Sequence, residues 1–228
     1  MVSCNHIEIK ELNSNNATTT MHSQYSQYSH SITFDPFFVI YFESHNIPHV
    51  KVKDEIWFKC QQVKSLTNFQ MTTPFPLIPK FIYDIGFFIH YLEAQQMSIL
   101  SFSQDDIVVL NANNEYACSF MFINVSKILH IKRDLITLNS PIKLDNSFFP
   151  PDLKPLIHRL PLKVHYKTAY YSFASLLIHL LLSQPNDANA NTQFNYDIPE
   201  FIKVHSSLYA FLERCLTRNP DERIFMYI

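Results

Sequence analysis

Gly86 is the only glycine in a chain of 228 residues. Glycine reaches positive φ without steric cost and lets the backbone approach an anion closely. This chain must therefore turn on other residues, and it cannot write a glycine-rich phosphate cradle. Neither a dinucleotide-binding strand–turn–helix fingerprint nor a Walker loop can be placed in it. Asn, Ile, Phe, Tyr and Lys are plentiful, a usage expected from an AT-rich genome. That bias explains the shortage of glycine and leaves its chemical consequence in place.

Hydrophobic residues make up 47% of the chain and charged residues 17%. This is enough for one compact domain with a core, plus a tail. The formal net charge of −2 offers no basic field to neutralise phosphates, so nucleic acid is not an expected partner. The longest basic cluster, Lys132-Arg133, is broken at once by Asp134. Cys4, Cys60, Cys118 and Cys215 form no CxxC spacing, and the opening MVSCNHIEIKEL has no apolar signal-peptide core. Both features point to reduced thiols in an intracellular protein. Val2 excludes N-myristoylation.

Along the chain, residues 1–30 read as a disordered, low-complexity tail whose Asn, Ser, Thr and Gln runs offer little to bury. Residues 31–76 follow as a short segment. In it Phe37-Phe-Val-Ile-Tyr-Phe42 reads as a buried strand, and Glu55–Cys60 as a second strand or a helical turn. Pro74, Pro76 and Pro79 punctuate a linker. Residues 77–228 carry the larger, mostly helical part. Apolar residues cover most of the surface of a helix from Ile78 to Glu93. Ile107–Leu110 reads as a strand, with an antiparallel partner between Tyr116 and Ile123. Tyr166–Leu182 is nearly all apolar. It is too short to span a bilayer and is interrupted by His179, so it reads as a helix buried on all sides. Residues 183–199 form an Asn-rich loop. Leu208, Phe211, Leu212, Cys215 and Leu216 then fall on one helical face, stopped by Asn219-Pro220.

That last segment, running into Asn219-Pro-Asp-Glu-Arg223, resembles the C-terminal region of the protein kinase family. Lys167-Thr-Ala-Tyr-Tyr-Ser-Phe-Ala-Ser-Leu-Leu177 is similar to that family's central buried helix, and Phe148-Phe-Pro-Pro-Asp-Leu153 to the segment closing its activation loop. The resemblance implies an α+β fold: a kinase C-lobe-like helical domain over residues 77–228, behind a remnant N-terminal strand region with its earlier strands deleted. It also implies a partly buried ion pair between Asp152 and Arg223.

Kinase catalysis rests on positioned groups, and most are missing. The resemblance places the catalytic base at Ser101, whose hydroxyl cannot take a substrate proton. It places the metal-binding Asn at Asp106 and the next metal ligand at Met121-Phe122-Ile123. The aspartate that opens the central helix is replaced by Ala169. No strand lysine with a helix glutamate stands out. Losing a general base alone costs about 10²–10⁴-fold in rate.

Other constellations are weaker. Pro48 separates His45 from His49, so the two do not share a helical face for metal. His90 and His179 read as core histidines. Asp105-Asp106 reads as a structural turn, with Asp106 the weak cation candidate. The expectation is a catalytically inactive kinase-like protein that binds another protein, with no cofactor, no metal and no membrane partner. The alternatives are a residual kinase or ATP binder using Asp106, and an unrelated α+β binding domain.

Overall fold

A computed structural model describes residues 2–4, 7–12, 27–69, 74–112, 117–140, 148–150, 153, 159–182 and 198–227. The fold is mixed α/β and divides into two units. The first holds residues Met1–Thr72, Tyr83–Tyr91 and Asp105–Ser126; the second holds Thr73–Ile82, Leu92–Gln104 and Lys127–Ile228.

The first unit contains a five-stranded antiparallel sheet of β1 (Val2–Cys4), β2 (Ile7–Glu11), β3 (His30–Thr33), β4 (His49–Val52) and β5 (Glu55–Phe58), in the order β1-β2-β3-β5-β4. Its register sets Val2 opposite Ile9, Lys10 opposite Ser31, Ile32 opposite Ile56 and Val50 opposite Trp57. Val2–Cys4 and Ile7–Glu11 are therefore paired strands and not part of a disordered tail. Ile7 and Ile9 are buried by period-2 alternation, too short to register without the distant partner β3.

Phe37–Phe42 is not a strand. It lies in helix α1 (Pro36–Ser44), whose start is fixed by Asp35 accepting from the Phe37 amide and by Pro36 in the first turn. The helix buries Phe37, Phe38, Tyr41 and Phe42 on one face. The run of aromatic and branched residues has high strand propensity, and the cap and core contacts override it.

A three-stranded sheet, β6 (Val63–Ser65), β8 (Ile107–Leu110) and β9 (Ser119–Phe122) in the order β6-β8-β9, completes this unit. Every residue of β8 and β9 is buried. The boundary at residue 77 is thereby corrected, since this hairpin groups with the N-terminal sheet. Phe88 stacks on Phe122 at 4.4 Å and meets Phe37 edge-on at 4.7 Å.

Helix α2 (Pro74–Ala94) contributes residues to both units. The expected proline linker is its first turns. Proline is tolerated there because the first amides of a helix lack intrahelical acceptors, and only Pro79 removes a ladder bond. In the second unit, β7 (Met97–Ile99), β10 (Ile128–Lys132), β11 (Leu135–Leu138) and β12 (Leu162–His165) form an antiparallel sheet in the order β12-β11-β10-β7. Its inner face packs Ile136, Leu138 and Val164 with Leu100 and Phe149. Helix α3 (Thr168–Leu182) is buried on every side along most of its length. Phe173 at its middle meets Phe81, Phe102, Phe211 and Phe225. The short α4 (Glu200–Lys203) precedes α5 (Ser206–Leu216), which buries Leu208, Phe211, Leu212 and Cys215 as its spacing predicts. The Asn-rich loop lies outside the described residues as far as residue 197.

Gly86 lies in a helix, and among the described residues six others take positive φ: Asn46, Lys53, Gln96, Asn111, Arg133 and Asp134.

Candidate functional site

Strand β8 is entered through a short 3-10 turn, Gln104–Asp106, and β9 leaves through Ile123 and Asn124. Antiparallel pairing of the two strands, Ile107 opposite Phe122, sets the residue before one beside the residues after the other. The backbone closes that end: the Ile123 amide donates to the Asp106 carbonyl at 2.8 Å. Asp106 and Asn124 are each 1% exposed. The Asn124 amide donates from Nδ2 to Asp106 Oδ1 at 2.7 Å, and the Ser126 hydroxyl donates to Asn124 Oδ1 at 2.5 Å. A carboxylate only accepts, so the amide turns its NH₂ to Asp106 and its oxygen to the Ser126 hydroxyl.

The sequence places the second metal ligand of the resemblance at Met121. In the structure Met121 is a wholly buried strand residue opposite Val108, and Asn124 is the polar group that reaches Asp106. Asn124 was missed because neither its type nor its surroundings mark it. The signal was the end of the apolar run Ser119–Ile123, where the strand must stop. Neighbouring Asp105 accepts from Thr67 at 2.7 Å, which gives it a structural role in the turn.

Ser101 is 2% exposed and belongs to the second unit. The residue after it, Phe102, donates its backbone amide to Ser172 Oγ of α3 at 2.7 Å. Ala169, near the start of α3, is buried and has no side chain to hold this loop. Ser172, one helical turn further along α3, is the side chain that holds it.

Arg223 is 1% exposed. Its Nε donates to the Thr217 carbonyl at 2.8 Å, Nη2 to the Arg218 carbonyl at 3.3 Å and Nη1 to the Lys167 carbonyl at 3.5 Å. The guanidinium carbon lies 5.2 Å from the centroid of the Tyr171 ring. Its expected partner, Asp152, lies outside the described residues.

A second buried polar cluster joins α1, α2 and β9 within the first unit. Asp84, fully buried, lies 2.9 Å from His45 Nε2 and accepts the Phe120 amide at 2.8 Å. His45 Nδ1 sits 2.8 Å from both the Tyr41 carbonyl and Ser44 Oγ, and its ring stacks on Tyr41 at 4.0 Å. The Tyr41 hydroxyl donates to the Phe120 carbonyl at 2.9 Å, and burial pushes its pKa well up. His45 is thus a tether, while His49 points to the Ile47 carbonyl at 2.9 Å. His90 is exposed, contrary to its reading as a core histidine, because it falls on the outward side of α2, two turns from the exposed Tyr83. His179 is half-buried, close to Phe148, and burial lowers its pKa.

Among the described residues no group of three or more His, Cys, Asp or Glu side chains is placed to hold a metal. No helix among them is long and apolar enough to cross a membrane. Cys60, Cys118 and Cys215 are buried and in no disulfide, and burial raises the Cys60 and Cys215 thiols. No protein-family model and no curated protein matches the chain.

Proposed function

We propose that this chain is a kinase-like pseudoenzyme that works as a protein-interaction module and transfers no phosphoryl group. The observation that carries the reading is the Asp106–Asn124–Ser126 chain of hydrogen bonds. The groups nearest to a metal-ligand pair are buried and spend their polar atoms on one another. A cation entering there would have to displace the amide NH₂ from the carboxylate and rotate the amide against Ser126.

Other features support the same reading. In kinases the third strand carries a lysine that pairs with a glutamate on the next helix. Here β3 reads His-Ser-Ile-Thr and is followed by α1, with no lysine on the strand. Asn5-His6, the residues between β1 and β2, contain no glycine. Ser101 is a buried hydroxyl in place of a carboxylate base. What remains intact is packing: the buried α3, the amphipathic α5 and the embedded Arg223.

A residual nucleotide binder is the second reading. It is favoured by one fact: Asp106 and Asn124 still bring a carboxylate and a side-chain amide within hydrogen-bonding distance of each other. Thermal unfolding with Mg-ATP, run beside a phosphoryl-transfer assay, separates the two. An interaction module gives an unchanged melting temperature and no transfer. A saturable rise in melting temperature, lost in Asp106→Asn, would establish the second reading instead.

A further inference from the structure

The sheet β12-β11-β10-β7 has one face on the core. Leu129, Ile131, Ile136, Leu138, Leu162 and Val164 point inward. Alternation then sends His130, Lys132, Leu135, Thr137, Lys163 and His165 to the other face. His130, Lys132, Thr137 and Lys163 are exposed and Leu135 and His165 are half-exposed. The register lines them up in cross-strand rows, with Lys132 opposite Leu135, Leu135 opposite His165 and Thr137 opposite Lys163. The exposed Arg133 caps the β10–β11 turn beside them.

Charge is segregated into this stretch. Between Lys127 and Lys167 the sequence carries eight lysines and arginines against three acids, in a chain with 18 against 20. Among the described residues, the acids beside the sheet are Asp134 in the turn and Asp221, which meets His165 at 3.1 Å and whose carbonyl takes the Lys167 ammonium at 3.0 Å. Lys132, Arg133 and Lys163 have no ion-pair partner among the described residues.

From this we infer that the outer face of the β12-β11-β10-β7 sheet docks an acidic polypeptide segment. The inference names the partner class of the interaction module proposed above and rests on that reading. Charge complementarity selects an acidic partner. The make-up of the face selects a polypeptide over a nucleic acid. None of its outward strand positions is Phe, Tyr or Trp, and the two imidazoles His130 and His165 are a small platform for stacking successive bases. The net charge of −2 repels a long phosphate polymer beyond the patch. Leu135 and the methyl of Thr137 lie between the lysines and take the apolar side chains that alternate with acids in an extended segment.

The test is fluorescence anisotropy on the full chain with a labelled peptide of about twelve residues alternating Glu with Val, its Gln counterpart and an oligouridine of similar length. Measurements at about 50 mM and about 300 mM NaCl report the electrostatic share. Saturable binding of the Glu peptide is expected, weakened by salt and absent for the Gln peptide. Lys132→Glu with Lys163→Glu weakens it by about tenfold or more, whereas Lys53→Glu in the β4–β5 turn leaves it unchanged. No binding of the Glu peptide, binding indifferent to the double reversal, or tighter binding of the RNA overturns the inference. Each of these outcomes leaves the pseudoenzyme reading standing. That reading fails on a different signal, Mg-ATP-dependent stabilisation or phosphoryl transfer.

Discussion

Asp84 and His45 meet at 2.9 Å in the interior of the first unit, 39 residues apart in sequence, with the Asp84 carboxylate fully buried. The same carboxylate takes the Phe120 amide through its other oxygen. One side chain thus ties the end of α1 and the edge of β9 to α2. Asp84→Ala strands a histidine nitrogen and a backbone amide away from water, and is expected to cost about 3 kcal/mol. Asp84→Asn keeps an acceptor for Phe120 and costs less, about 1 kcal/mol. Urea unfolding midpoints measure both. Losses below about 1 kcal/mol for the alanine variant would show that the cluster is not an anchor.

Asn124→Asp sets a second carboxylate against Asp106 in a buried position. Like charges there force one group to stay protonated, and the expected loss is about 2–4 kcal/mol at neutral pH. The new pair of carboxylates is also a hard-cation site, so millimolar Mg²⁺ or Mn²⁺ should restore part of the stability. The wild-type protein is expected to show no such rescue. Thermal melts with and without the cation decide it. A variant as stable as wild type without metal would contradict the burial of the pair.

Burial lowers the pKa values of His30, His165 and His179. In the unfolded chain a histidine titrates near 6.5, so just below that pH the unfolded state binds more protons than the folded one. Stability from these groups is therefore complete above about pH 7, falls as the pH drops through about 6.5, and levels off below the folded values. Melting temperature against pH should show this acid-side slope. His179→Leu should flatten it, and a slope of the opposite sign would mean that the rings are protonated in the fold.

Arg133 and Asp134 both sit at positive φ, 52° and 61°, in the two-residue turn between β10 and β11. This is the conformation for which Asn-Gly is preferred, and a side chain in the left-handed region costs about 1 kcal/mol or more. The double change Arg133→Asn with Asp134→Gly is expected to raise stability by about 1 kcal/mol, after allowing for the flexibility glycine adds to the unfolded chain. Chemical denaturation of the two proteins measures the difference.

Much of the fold was legible where pattern and neighbourhood agree. Ile107–Leu110 is an apolar run of strand length between turn residues, and Leu208–Cys215 repeats with helical period. Both stand where the sequence puts them. Phe37–Phe42 was not legible from its own residues, which favour a strand; Asp35-Pro36 carried the helix signal. The strands Val2–Cys4 and Ile7–Glu11 are too short to register alone and take their meaning from β3, beyond a polar stretch. Of the site, Asp106 was visible as an acid before a strand. Asn124 depends on where β9 stops, which no periodicity fixes to the residue. The Asp84–His45 contact joins residues on different elements, and a single sequence carries no trace of such a pairing.

Helix α2 begins at Pro74 and carries Pro76 and Pro79 within its first turns. An ordinary helix start leaves four amide hydrogens pointing outward, and these, with the aligned peptide dipoles, make it attractive to anions. Pro74 and Pro76 remove two of the four. The positive pole of this 21-residue helix is therefore muted at its origin, and a phosphate arriving there would find half the usual grip.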